Sequence, residues 1–159
     1  MGISKERIED VLAKYDYRAD ALVPILMDTQ SLCVDHFLTE ATQKYIAKKL
    51  DLTYVDVYEV SSFFAALHKT PKGKYHIQVC DSSVCRINKK DIIQTFLEQH
   101  LQIEPGQMTP DGLFSLEKTT CFGACDISPA VRINKKVHGH LTIQKMKKLL
   151  GELKEASHV

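Results

Sequence analysis

Four of the five cysteines fall in two short clusters, "CDSSVC" at Cys80–Cys85 and "CFGAC" at Cys121–Cys125. Four residues separate the first pair and three the second. Neither is the Cys-x-x-Cys pair that a redox dithiol places at a helix start. Structural zinc takes its ligands from two tight knuckles, usually with about two to four residues between them, and these gaps sit at the outer edge of that range. A [2Fe–2S] cluster needs four thiolates spread over a wider rhomb, which longer gaps suit. The small residues in "DSSV" and "FGA" let amide N–H groups approach sulfur. Spacing alone ranks iron–sulfur ahead of zinc, with disulfides third.

The elements that must hold these clusters change character part-way along the chain. The first part reads helical. "SKERIEDVLAKY" puts Ile8, Val11, Leu12 and Tyr15 on one face, with Ser4 as N-cap. "ADALVPILMDTQSL" is a second apolar helix with Pro24 in its first turn, where proline is tolerated. "TEATQKYIAKKL" is a third, capped by Thr39 and ending on Lys48 and Lys49, which suit the negative end of the helix dipole. "TYVDVYEVSSFFAAL" is a fourth, opened by a Thr53–Asp56 capping box. "KTPKG" breaks the pattern and divides the chain into a helical bundle, residues 1–72, and a second domain, residues 73–159. There "YHIQVC" alternates as a strand, with Ile77 and Val79 on one face. "NKKDIIQTFLEQHL" is an amphipathic helix capped by Asn88, and "EPGQMTPDG" a turn-rich loop. "LFSLEKTTC" and "AVRIN" read as strands. "TIQKMKKLLGELKEA" closes the chain as a helix with Ile143, Met146, Leu149, Leu150 and Leu153 inward. The order β-α-β-β-α is that of the C-terminal part of a thioredoxin-like fold, so the class is α+β. Both cysteine clusters follow strands, in loops where side chains converge if the strands are neighbours.

Composition narrows the function. The 159 residues carry 21 basic and 20 acidic side chains, a net charge of +1, which gives no global field for nucleic acid or anionic lipid. No apolar run approaches the roughly 18 residues of a membrane span. "MGISKERIEDVLAKY" has no apolar h-region, so it is not read as a secretory signal, and Lys5 and Glu6 argue against an acylation signal at Met1-Gly2. The expected location is cytoplasmic, including the cytoplasmic face of a membrane complex. Thiols stay reduced there, and clustered cysteines read as metal ligands or redox groups.

The run "KGKYHIQVCDSSVC", continued by "IEPGQMTPDGLFSLEKTTCFGACDISPAVRIN", resembles the small thioredoxin-like [2Fe–2S] subunit of NADH:quinone oxidoreductase (complex I). It is equally similar to the matching subunit of NAD-linked hydrogenases and formate dehydrogenases. "RADALVPILMDTQS" and "VYEVSSFF" extend the likeness into the helical part. The resemblance implies a [2Fe–2S] cluster on Cys80, Cys85, Cys121 and Cys125, with each loop's pair serving one iron. It implies one-electron transfer in an NAD(H)-dependent flavoprotein module, and a larger partner carrying FMN, the NAD(H) site and a further iron–sulfur cluster. A chain of this kind catalyses nothing alone, and no Gly-x-Gly-x-x-Gly nucleotide motif is present. The alternatives are a stand-alone thioredoxin-like ferredoxin and a structural zinc protein. The chain departs from the family at Glu59, where glycine is usual, and at Ser61, Ser62 and Phe64. It departs again at Thr120 and in "DISPAV", where "GLAPVV"-like text is common.

Other residues have plainer readings. Cys33 is a small core residue. His138 and His140 flank Gly139 in a turn facing solvent, and His76 points away from the apolar face of its strand. Tyr58, Phe63, Phe64 and Leu67 are mostly bundle core. Phe122, between two cysteines, is a lid over the metal site or a partner contact.

Overall fold

The computed structural model describes residues 3–157; Met1 and Gly2, where an acylation signal would sit, lie outside them. The chain forms two compact units, Met1–Pro71 and Lys72–Val159.

The first unit is helical. Helix α1 (Lys5–Lys14) buries Ile8, Val11 and Leu12, one stripe at helical spacing. Ser4 occupies its N-cap position, but the hydroxyl makes no cap hydrogen bond. A 3-10 turn at Ala19–Ala21 leads into α2 (Leu22–Leu32), which buries Leu22, Ile25 and Leu26. Helix α3 (Glu40–Lys49) is capped by Thr39, which accepts from the Thr42 amide. Helix α4 (Tyr54–Phe63) opens on a complete capping box between Thr53 and Asp56, two reciprocal bonds that satisfy otherwise orphan amides. These helices share a core that includes Leu12, Ile25, Leu26, Ile46 and Val57. Each such side chain contributes about 1.5–3 kcal/mol on burial. Gln30 sews the unit's end to α2, donating to Ala66 O at 2.9 Å and accepting from the His68 amide at 2.7 Å.

The stripe at the end of α4 runs against expectation. Leu67 is buried, but Phe63 is 82 % exposed, and Tyr58 and Phe64 face solvent as well. Helix α4 ends at Phe63, so the chain leaves helical phase before Phe64. The two rings stack edge-on against each other instead of the core, with centroids 5.3 Å apart.

The second unit is a four-stranded sheet in the order β2-β1-β3-β4, built from β1 (Tyr75–Cys80), β2 (Phe114–Thr119), β3 (Val131–Ile133) and β4 (Lys136–His138). Strand β1 pairs parallel to β2 and antiparallel to β3. The parallel crossover runs through α5 (Ser83–Ile87) and α6 (Lys90–Leu101), and α7 (Ile143–Ser157) follows the sheet. Ile77, Val79, Phe114, Leu116, Val131 and Ile133 form a core with Ile93, Leu97, Met146 and Leu150 of α6 and α7. Ile143, expected inward, is exposed at the first turn of α7. The opposite strand positions hold a polar row. His76 is buried there, its ring nitrogens 2.8 Å from Ser115 Oγ and 2.7 Å from Glu117 Oε2. Gly73 closes against β2 so tightly that a Cβ would lie 2.5 Å from the Phe114 carbonyl carbon. Among the described residues no helix is long and apolar enough to cross a membrane.

Three local expectations fail for identifiable reasons. Asn88 caps no helix start: it ends α5, and Lys89, with φ of 63°, takes the N-cap position of α6. Helix α5 is only five residues long, too short to show a period, and it converts the expected loop around Cys85 into a helical turn. Strand β4 is shorter still, at three residues; a tight turn at Asn134–Lys135 returns the chain so that Val131 pairs with His138. His138 is therefore a half-buried strand residue, and burial lowers its pKa; His140 alone is exposed.

Candidate metal centre

The parallel pairing of β1 and β2 brings their C-terminal ends side by side, with Cys80 in register with Thr119. Cys80 closes β1, and Cys121 lies two residues beyond β2. The Asp81 amide donates to Thr119 O at 2.8 Å, so the ladder holds to the point where the two cysteine segments part. Cys85 sits in α5, and Cys125 begins a 3-10 turn, Cys125–Ile127. Cys80 and Cys85 are buried, Cys125 is half-buried and Cys121 is exposed.

The four sulfurs meet. Cys121 Sγ and Cys125 Sγ are 3.5 Å apart. The Cys85 and Cys121 thiols both interact with Cys80. Further donors surround them: the Gly123 amide reaches Cys121 Sγ at 3.4 Å, from a glycine with φ of +84° that a side chain would strain. Ser128 Oγ donates to Cys85 Sγ at 3.4 Å. The Cys80 thiol itself donates to Ser82 Oγ at 3.2 Å, a hydroxyl that donates back once the thiol is deprotonated.

Electrostatics fit a cation-binding donor set. Burial raises the pKa of the Cys80 thiol, but bonds from the Ser82 hydroxyl and amide and from Cys85 and Cys121 outweigh it, leaving the pKa below the ordinary cysteine value. Cys125 moves the other way, raised by its bond to Cys121, by burial, and by the negative charge of Cys121, Cys85 and Cys80. Four thiolates so close repel one another, and a positively charged centre between them removes that penalty. Cys33 takes no part. It is buried in the first unit, donates to Thr29 O at 3.4 Å, and burial pushes its thiol up to about 11.

The model of the thioredoxin-like [2Fe-2S] ferredoxin family matches residues 8–154. The chain belongs to the thioredoxin-like [2Fe–2S] ferredoxin family. It is 33% identical over 156 residues to an NADH-quinone oxidoreductase subunit of Rhizobium meliloti (strain 1021), covering 98% of this chain and 91% of that one. It is 35% identical over 131 residues to NADP-reducing hydrogenase subunit HndA of Solidesulfovibrio fructosivorans, covering 82% and 75%. A crystal structure of an NAD+-reducing [NiFe]-hydrogenase in the air-oxidized state superposes with a TM-score of 0.76 at 22% identity, over 88% of this chain but only 24% of that one. That likeness shows the shared thioredoxin-like fold. Within this ferredoxin fold, the four-cysteine end of the sheet is where a [2Fe–2S] cluster fits the donor set.

Two residues near the ferredoxin site escaped sequence reasoning. Ser128 lies in the divergent "DISPAV" segment, with nothing in its type to announce a bond to sulfur. Lys90 left a trace: it occupies the apolar stripe of α6 with Ile93, Leu97 and Leu101, a buried position where a lysine needs an explanation. Phe122 is half-buried, and its ring covers the Arg132 guanidinium at 5.3 Å; Arg132 in turn donates to Gln78 at 2.7 Å. The ring is thus pinned to the polar face of the sheet.

Proposed function

We propose that this chain is the iron–sulfur subunit of an NAD(H)-linked flavoprotein module, with Cys80, Cys85, Cys121 and Cys125 as the ligands of its [2Fe–2S] cluster. The observation that carries the reading is the convergence of four sulfurs from the ends of two adjacent parallel strands. The cluster, when bound, exchanges a single electron without making or breaking a bond in the chain. The protein's part is to hold four thiolates deprotonated and to direct hydrogen bonds at their sulfurs, from Gly123, Ser128 and Ser82, so that added negative charge is stabilised. Burial of Cys80 and Cys85 keeps water from one side, and exposure of Cys121 leaves the other open for electron exchange.

The relatives are named as subunits of larger oxidoreductases. The partner that fits this reading is a larger chain carrying FMN, the NAD(H) site and a further iron–sulfur cluster. Val55, Tyr58, Phe63 and Phe64 on and after α4, and Val84 and Ile87 on α5, offer apolar surface for subunit contact. The test is anaerobic purification with iron and sulfide analysis, visible absorption and EPR of the reduced protein, alone and co-expressed with the flavoprotein partner. Two irons and two sulfides per chain, a paramagnetic reduced state and co-purification are expected. Colourless protein with stoichiometric zinc overturns the cluster; a loaded chain that never co-purifies overturns the partner. Cys85→Ser with an unchanged spectrum overturns the ligand assignment.

A further inference from the structure

Lys90 is the first residue of α6, and its side chain is only 3 % exposed. Both facts work against a cation. Burial strips the ammonium of water, and the first turn of a helix carries partial positive charge. The residue before it, Lys89, adopts a left-handed conformation that non-glycine residues seldom take.

The partners of Lys90 explain its place. Nζ donates to Asp81 Oδ1 and to Gln94 Oε1 at 3.3 Å, with Asp91 Oδ1 3.7 Å away. Gln94 donates onward to Glu98 at 2.7 Å. Arg86 reaches the same Asp81 oxygen at 3.2 Å but is 62 % exposed. Asp81 directly follows Cys80, and Arg86 directly follows Cys85. One carboxylate therefore ties both ends of the first cysteine segment to a buried lysine on α6.

We propose that Lys90 is a positioning residue of the metal centre: through Asp81 it holds the Cys80–Cys85 segment in place, and its buried positive charge raises the reduction potential of the cluster. This rests on the four-cysteine ligation proposed above. Each added electron makes the cluster more negative, so a fixed cation nearby in a medium of low dielectric favours the reduced state. Arg86 has the same sign but is screened by solvent and salt. Asp81 has the opposite sign. The two members of the Lys90–Asp81 pair therefore have opposite effects on potential, although losing either breaks the same bond.

The experiment is an EPR-monitored redox titration of the full, cluster-loaded chain, with iron content measured on each variant. Lys90→Met is expected to lower the midpoint potential, Asp81→Asn to raise it, and Lys90→Arg to restore it towards the wild type. Arg86→Gln lowers it by less, and that shift shrinks as ionic strength rises, whereas the Lys90→Met shift persists. Potentials that move the same way in Lys90→Met and Asp81→Asn, or in neither, overturn the charge role. If Lys90→Met takes up no cluster, the sign test passes to Asp81→Asn and Arg86→Gln, and an Arg86→Gln potential at or above the wild type, or an Asp81→Asn potential at or below it, overturns it. A wild-type chain without iron sinks the ligation reading itself, which is a different result from a loaded chain with unmoved potentials.

Discussion

Ser128 Oγ donates a hydrogen bond to Cys85 Sγ across 3.4 Å, from the segment that follows the second cysteine pair to a cysteine of the first. Ser128 belongs to "DISPAV", the stretch in which this chain leaves the family's common text, so the departure adds a donor to a proposed ligand. Donors to cluster sulfur stabilise the reduced, more negative state. Ser128→Ala is expected to keep the cluster and lower its midpoint potential. A bond of this kind contributes about 1 kcal/mol, equivalent to ~40 mV for one electron. Redox titration checks it, and an unchanged or raised potential counts against the bond.

Gly139 is the contact that seats the Cys125 turn. A Cβ there would meet the side-chain carbons of Ile127 at 2.5 to 2.6 Å, and the His140 amide already donates to Ile127 O at 2.6 Å. Gly139→Ala must displace Ile127, two residues after Cys125. The expected outcome is reduced iron occupancy, with a stability loss of about 1–3 kcal/mol from overpacking. Iron analysis and thermal unfolding of the variant measure both; full occupancy at wild-type stability contradicts the tight approach.

Cys33 separates a cysteine of the core from those of the site. It lies in the helical unit's core and donates to Thr29 O. Cys33→Ala is expected to retain full iron and an unchanged EPR spectrum while costing about 1 kcal/mol of stability through the small void it leaves. Loss of iron in this variant would assign Cys33 a role in the site.

Glu9 gives the helical unit an acid-sensitive link. Bonds from Lys49, Tyr45 and Tyr17 hold its carboxyl at about 2, below the ordinary 4.5. A carboxyl depressed in the folded state contributes stability above its unfolded pKa and loses it as pH falls through the folded value. The contribution is therefore full above about pH 4.5 and declines towards about pH 2. Glu9→Gln is expected to melt lower than the wild type at neutral pH, with the gap closing over that acid window. Thermal melts across pH test this, and a gap that stays constant with pH contradicts it.

The local features that matched expectation were those with their cause inside a short stretch of chain. The Thr39 cap and the Thr53–Asp56 capping box are bonds over three residues. The alternation of "YHIQVC" separates Ile77 and Val79 from His76 whatever the strand's neighbours are. The misses lie where neighbours or length decide. Asn88 has a capping side chain, but the left-handed Lys89 takes the cap position of α6. The three residues of β4 carry too little pattern to be seen before they pair with β3. Aromatic type suggested core for Tyr58, Phe63 and Phe64, yet the buried side of α4 is the one that carries Val57 and Ser61, which leaves Tyr58 outside it, and the helix ends at Phe63.

By itself the sequence determined the candidate donor set: four cysteines in two pairs, each starting at or just after the end of a strand, spaced too loosely for a dithiol. Side-chain chemistry and chain spacing are local, and they survive whatever the fold does. Only the tertiary structure decided that the pairs meet, because the parallel register of Cys80 with Thr119 is a long-range hydrogen-bonding choice. The surroundings of the sulfurs were decided there too. Ser128 reaches Cys85 from 43 residues away, and Lys90 reaches Asp81 from α6, contacts that packing creates between segments whose own sequences give no sign of each other.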